Sequence, residues 1–300
     1  PYILSGISVG GQYALIAIGY TMVYGILRLI NFAHGDVFMV AGLMMVYLSA
    51  ALPLYLAVPV VALLTVALGF VIEKIAYKPL RSAPRMSVMI SAIGVSYLLQ
   101  NLALYVTGGL NKTYPTIPWI SDQVDLFGAT TKRVTLITPV LTIILVILLV
   151  QLINHTKVGM AMRAVAKDFE TSQLMGIKIN NVISVTFIIG SFLAAVGSML
   201  YFSNYPGVVP TSGAMPGLKA FVAAVFGGIG SIPGAVIGAF IIGVFESLIK
   251  GLDTILTTFH IIQSPLELST FSDAFTFVLL IVILVFKPTG LFGEKATDKV

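Results

Sequence analysis

Long stretches without charge dominate this chain. No Asp, Glu, Lys or Arg lies between Asp36 and Glu73, Arg85 and Lys112, Arg133 and Lys157, Lys178 and Lys219, or Lys219 and Glu246. A helix needs about 20 apolar residues to cross a hydrocarbon layer. Each interval is long enough for one crossing, and the first and fourth are long enough for two. Only 10% of the 300 residues are charged and 58% are hydrophobic. A soluble domain has about 25% charged residues and could not cover its surface with so few. With lipid as the solvent that difficulty vanishes. The expected fold class is therefore all-α, a polytopic membrane helix bundle built as a single domain over residues 1–300.

Apolar helices are expected at 3–26, 37–51, 55–77, 86–106, 134–154, 179–201, 234–252 and 273–286. Together these make about eight transmembrane helices. A shorter apolar piece, 218–226, precedes a glycine cluster, and Pro53 separates the second helix from the third. Loop 73–85 carries Lys74, Lys78, Arg81 and Arg85, and segment 155–180 carries Lys157, Arg163, Lys167 and Lys178. Both are expected on the cytoplasmic side. Segment 107–133, with Tyr114, Pro115, Pro118 and Trp119, and region 246–273, poor in Lys and Arg, are expected outside. The tail 287–300, with Lys287, Lys295 and Lys299, is expected inside. This parity requires 218–252 to return to the side it left. A re-entrant half-helix at 218–226, turning at mid-membrane through Gly227–Gly230, meets that requirement. Irregular backbone at such depth is tolerated only where protein buries it or it lines a cavity. Residues 12–51 and 186–250 each hold a long helix, a glycine-bearing break and another helix, without enough residue-level match to claim a repeat.

There is no cysteine, so no disulfide or thiolate metal site is available. His34, His155 and His260 show no metal-ligand spacing, and no metal is expected. The net charge of +5 fits basic cytoplasmic loops, and no nucleic acid partner is expected. No basic region precedes the first apolar stretch, so no cleavable signal stands out. A chain opening on Pro1 is expected to lack a short natural N-terminus.

Three segments could carry chemistry. The first, Arg28 to Asp36, places Arg28, Asn31, His34, Gly35 and Asp36 between two apolar helices. Ionisable groups near a membrane core usually mark a pathway or an internal pair. The plainer alternative is a turn in which Asn31 and Asp36 cap helix ends. The second, Phe226 to Gly238, offers Gly227, Gly228 and Gly230, whose backbone is free to turn. Ser231 can cap a helix starting near Pro233, whose N-terminus could meet a carboxylate. Gly230, Gly234 and Gly238 also have the spacing of close helix packing. The third, Gly159 to Ile177, is amphipathic and mixed in charge. It could lie on headgroups, or dock on a partner through Met160, Met162, Val165 and Phe169, with Gly176 ending its helix. No phosphate-binding Gly-x-x-x-x-Gly-Lys-Ser/Thr run occurs, so this chain is not itself an ATPase. No paired carboxylates or nucleophile motif occur either, and no enzyme is expected.

The sequence resembles the LivH-type permeases of branched-chain amino acid ABC transporters. The resemblance rests on YALIAIGYTMVYGILRLINFAHGD (13–36), KPLRSAP (78–84), ISAIGVSYLLQN (90–101), GMAMRAVAKDFETSQLMGIKIN (159–180) and KAFVAAVFGGIGSIPGA (219–235). It covers nearly the whole chain. Asp36 stands where many such permeases have Glu, Lys167 where an acidic residue is common, and Ser172 where alanine is usual. The resemblance implies a bacterial inner-membrane, multi-pass permease without a cofactor of its own. Its implied partners are a homologous LivM-type permease, two cytoplasmic ATP-binding subunits that use ATP and Mg, and a periplasmic amino acid-binding protein. It implies that segment 155–180 is the ATPase-coupling element, with Arg163, Ala164, Asp168 and Gly176 in that role. Arg28–Asp36 and Gly227–Gly230 are expected to approach each other beside the substrate path, with Asn31 and His34 nearest to it. The competing readings are a urea or short-amide importer of the same family, an ion-coupled secondary transporter, and a channel or structural membrane protein.

Overall fold

The computed structural model describes residues 2–126, 129–258 and 271–293. Its helices are α1 (Tyr2–Leu27), α2 (His34–Ala51), α3 (Leu54–Ile72), α4 (Arg85–Thr107), α5 (Arg133–His155), α6 (Lys157–Lys167), α7 (Phe169–Leu174), α8 (Ile179–Asn204), α9 (Ala214–Gly227), α10 (Ile232–Thr258) and α11 (Ser272–Phe286). Seven of these, among the described residues, are long and apolar enough to cross a membrane. The two shorter apolar helices are α9 and α11. The polytopic helical bundle expected from the charge-free stretches is thus present. The expected 273–286 helix is one of its two short members.

Helix α1 is the axis of the bundle, and α8 and α10 pack antiparallel against it. Beside α10, small residues permit the approach: a Cβ at Gly10 would lie 2.7 Å from Phe240 Cα, and one at Gly6 2.6 Å from Val244 Cα. Tyr2 meets Gly251 at one end, and Gly25 faces Gly230 at the other. Along α8, Gly190 packs on Gly19, and the Gln12 side chain donates to the Leu200 carbonyl at 3.3 Å. In contrast, α3, α4 and α5 present exposed rows such as Leu63, Ile90, Tyr97, Tyr105, Val140 and Ile147.

One end of the bundle gathers Arg28, Arg81, the α6–α7 pair and the turn 228–231. The Arg28 guanidinium donates to the Ala166 carbonyl, Arg81 binds Asn180, and the N–H of Leu291 bonds the Phe226 carbonyl. The opposite end holds strand β1 (Lys112–Thr113), antiparallel to β4 (Gly207–Val208), and the hairpin of β2 (Gln123–Leu126) with β3 (Ala129–Lys132). There the Lys132 ammonium donates to the carbonyls of Ser203 and Asn204. The bias of Lys and Arg noticed along the sequence is therefore a bias of one face of the molecule.

Two helices begin inside the bundle. Gly19 packs on the His34 imidazole, so α2 starts about 12 Å short of the Leu27 end of α1. The α9–α10 hairpin closes at Gly227 against Gly234, at the basic end, so α9 starts about 20 Å above that end. This corrects the re-entrant geometry expected from sequence. The inward return is made by the irregular segment 205–213, and α9 runs from the interior to the basic end instead of turning at mid-depth. Physically, the glycines at 227–230 serve the hairpin, and Ser231 Oγ caps α10 by accepting from Gly234 N–H at 3.2 Å.

Candidate functional site

The start of α2 and the start of α9 meet head to head. A Cβ at Gly35 would lie 2.7 Å from the Gly213 carbonyl oxygen, and one at Gly217 would lie 2.9 Å from Gly35 Cα. Only glycine on both sides allows this approach. Beside the junction lies a cavity of about 310 Å³. Its polar wall holds Asp36, Ser96, Gln100 and Tyr20, and its apolar wall holds Phe32, Ile93, Tyr97, Leu218 and Phe221.

Asp36 is 3% exposed, and its carboxylate accepts from the Ser96 hydroxyl and from Gln100 Nε2 at 3.0 Å. Ser96 and Gln100 are one helical turn apart on α4, so both reach the same carboxylate. All its partners among the described residues are neutral. The other buried carboxylates are paired with cations. Glu246 on α10 meets Lys219 of α9 at 2.9 Å and Lys250 at 2.5 Å, and accepts from the Tyr13 hydroxyl of α1 at 3.0 Å. Lys219 also meets Asp273 at the start of α11 at 2.6 Å. Glu73 binds Arg81 and accepts from Ser184 at 2.9 Å. Burial lowers the Arg81 pKa from the ordinary guanidinium value, and Glu73 opposes the shift.

The backbone at this junction adds electrostatics. At these starts the N–H groups of His34, Asp36 and Val37 bond the carbonyls of Asn31 and Ala33, and those of Ala214 and Gly217 bond Thr211 and Gly213, so what the two helix axes present is their partial positive charge. Two such ends facing one cavity within an apolar layer favour a ligand carboxylate, and Asp36 favours a ligand cation. The apolar wall favours a hydrocarbon side chain.

The expected site residues fall in several places. Gly35 and Asp36 line the cavity. Asn31 and His34 do not: Asn31 accepts from the Tyr77 hydroxyl at 2.8 Å, and the His34 ring is buried edge-on to Tyr20 and against the α1 backbone at Gly19. Helix α2 brings successive side chains to different faces, which turns His34 toward α1 and Asp36 toward α4. Neither Asn31 nor Asp36 caps a helix, since Ala33 is the N-cap of α2 and offers no side-chain acceptor. Arg28, with φ +55°, lies at the basic end. Gly227, Gly228 and Gly230 lie there too, beside Gly25 and residues 290–293, away from the cavity. The expected Arg28–Asp36 and Gly227–Gly230 segments come near each other at Ile30 and Ile229, which line one small cavity with Tyr20 and Phe221, and Gly25, just before the first segment, faces Gly230. The larger cavity instead joins Gly35–Asp36 to 213–221.

The expected coupling segment is two helices. Asp168 separates them and caps α7, accepting from Thr171 N–H at 3.0 Å. Arg163 donates to the Asn154 carbonyl at 3.2 Å, and Ala164 bonds the Asp168 N–H through its carbonyl. Gly176, with φ +83°, ends the unit as its position suggested. Of the four expected anchors, Met162 and Val165 face inward, Met160 faces out, and Phe169, partly exposed, lies over a cavity walled by Leu27, Tyr77 and Arg81. Leu174 and Met175, unnoticed in the sequence, are 87% and 78% exposed. Sequence reasoning also missed Ser96, Gln100, Gly213, Gly217 and Lys219. The four-residue spacings of Ser96–Gln100 and Gly213–Gly217 were the available signals. His260 and the tail beyond 293 lie outside the described residues.

Comparison with known proteins agrees with this architecture. The permease protein BraD of a high-affinity branched-chain amino acid transport system in Pseudomonas aeruginosa is 38% identical, covering 99% of this chain and 97% of its own. LivH of Salmonella typhimurium, similarly described, is 39% identical over 99% and 96%. A solved inward-facing conformation of a metal-chelate type ABC transporter shares the fold, with a TM-score of 0.50 and 15% identity over 96% of this chain and 85% of that one. The family described as the permease component of branched-chain amino acid transport systems matches residues 2–284, and this chain belongs to it.

Proposed function

We propose that the cavity between α2, α4 and α9 is the transit site of an ATP-driven importer for branched-chain or similarly sized neutral amino acids. The observation that carries this reading is the buried Asp36 carboxylate, held by neutral donors alone, beside two opposed helix starts and an apolar wall. A zwitterion needs a partner for each charged end on leaving water. Asp36 takes the ammonium, the α2 and α9 starts take the carboxylate, and Ile93, Leu218 and Phe221 take the aliphatic group. Urea would leave that apolar wall unused. An ion-coupled mechanism would rest on Asp36 alone, since Glu73 and Glu246 are already neutralised by cations, and the family membership of the chain favours ATP-driven import. A channel would have no use for the paired helices α6 and α7.

In this reading the basic face is cytoplasmic in a bacterial inner membrane, and α6–α7 rests on one of two ATP-binding subunits. ATP and Mg belong to those subunits, and this chain holds no cofactor. The exposed rows on α3–α5 face lipid or a LivM-type permease, and a periplasmic binding protein delivers substrate at the opposite end. The family membership of the chain and the exposed Leu174 and Met175 support this assignment. The test is proteoliposome reconstitution of the chain with those partners. ATP-dependent uptake of leucine, without uptake of urea, is expected. Urea uptake in place of leucine would transfer the assignment to the amide branch.

A further inference from the structure

The coupling helices and the cavity lie at different depths, and one short element touches the groups between them. After Ile72 the third helix widens into a π turn, Glu73–Tyr77, and closes with a 3₁₀ turn, Lys78–Leu80. Pro79 has no N–H to continue an α-helix. The Lys78 N–H reaches back to the Glu73 carbonyl, the wider spacing of a π turn. The widened turn buries Glu73, Ala76 and Tyr77 together at the basic end of the bundle.

From this turn, contacts run both ways. Toward α6–α7, Phe169 closes a cavity of about 120 Å³ whose other walls include Leu27, Tyr77, Arg81 and Val88. Arg81 binds Glu73 and Asn180, and Ser184 donates to Glu73, so the turn is fastened to the start of α8 directly after the coupling segment. The Tyr77 ring packs on Phe187 of α8 with centroids 5.0 Å apart. Toward the cavity, the Tyr77 hydroxyl donates to Asn31 at 2.8 Å, and the Asn31 carbonyl accepts from His34 N–H at 3.0 Å. His34 is the first residue of α2, and Gly35 and Asp36 follow at the cavity wall.

We infer that Tyr77 is a positioning residue through which movement of α6–α7 and the α8 start reaches the α2 end of the cavity. The inference rests on the proposed ATPase contact of α6–α7. Glu73 and Arg81 hold the π turn to α8, and the turn carries Tyr77. The Tyr77 hydroxyl is the buried polar link from the π turn to the irregular segment preceding α2, beside the exposed bond from Arg28 of that segment to the Ala166 carbonyl of α6. Because the segment 28–33 has no helical hydrogen-bond ladder of its own, the position of Asn31 follows that link. A purely structural role would give the hydroxyl an effect on stability alone.

The test compares wild type, Tyr77→Phe and the double variant Tyr77→Phe/Asn31→Leu in the reconstituted complex. Removing both polar partners avoids the unsatisfied buried amide that the single variant leaves. Two quantities are read: leucine taken up per ATP hydrolysed, and an ATP-dependent distance between spin labels at Ala50→Cys on α2 and Ser5→Cys on α1. The chain has no native cysteine to interfere. Both variants are expected to hydrolyse ATP while uptake per ATP falls about three- to tenfold, the factor set by one neutral hydrogen bond. The label distance should then respond less to ATP. Wild-type uptake per ATP and wild-type label movement in the double variant would overturn the role of Tyr77. Wild-type labels that stay still while ATP is hydrolysed would instead overturn the coupling reading on which it rests.

Discussion

At the residue scale, the chemistry concentrates on Asp36. A carboxylate that is 3% exposed and, among the described residues, meets only Ser96 and Gln100 carries a desolvation cost that those neutral donors offset in part. A substrate ammonium completes the pairing during transit. Asp36→Asn keeps the volume and a hydrogen-bonding group but removes the charge. Leucine uptake is expected to fall about tenfold to a hundredfold, matching the 1.5–3 kcal/mol of a charged hydrogen bond. Initial uptake rates in proteoliposomes would show it, and an unchanged rate would remove Asp36 from the path. Residues 28–36 stood out in the sequence because polar groups between apolar helices are costly. Which of them faces the cavity was not legible, because an α-helical start turns His34 and Asp36 to different neighbours.

At the element scale, α9 depends on an ion cluster. Lys219, 6% exposed, joins the half-helix to Glu246 on α10 and Asp273 on α11, and Tyr13 of α1 donates to the same glutamate. Losing one member of a buried pair leaves its partner charged without compensation, at about 3–5 kcal/mol. Lys250 still neutralises Glu246, so Lys219→Met is expected near the lower end, about 3 kcal/mol. The thermal unfolding temperature of the detergent-purified protein should drop. The double variant Lys219→Met/Glu246→Gln should recover part of the loss, because the buried Glu246 charge is gone and the Asp273 side chain left behind, 38% exposed, keeps contact with its surroundings outside the protein. A single variant as stable as wild type would show that the cluster contributes nothing net. In the sequence, Lys219 was visible only as a break between two apolar intervals. The partner that makes a mid-helix lysine tolerable lies 27 positions away along the chain.

At the scale of the whole molecule, the arrangement has two long antiparallel helices, α1 and α8. Each is followed by an irregular segment and a helix starting inside the bundle. This arrangement brings the starts of α2 and α9 together between them, a design suited to a site near the membrane midplane. Segments 12–51 and 186–250 hinted at it, but side-chain identities did not carry the match. The faces of the molecule give a direct check. Gln173→Cys should react with a membrane-impermeant thiol reagent only after cells are opened, and Thr116→Cys should react in intact spheroplasts. The reverse pattern would invert the molecule in the membrane.

The sequence alone determined the membrane class, the approximate position of every spanning helix and the basic face. Each of these follows from a sum over neighbouring residues: apolar length sets a crossing, and loop Lys and Arg set a side. Tertiary structure decided the rest. The spanning stretch of α1 is 72% buried inside the protein and that of α5 only 17%, although both are apolar. Lipid tails and packed side chains are similarly apolar, so hydropathy cannot separate a helix facing lipid from one at the axis. The depth at which α2 and α9 begin was hidden for the same reason. It is set by glycine contacts between distant segments, Gly35 with Gly213 and Gly217, and by hydrogen bonds such as Tyr77 to Asn31 and Gln100 to Asp36. Those pairings exist only once the helices have packed.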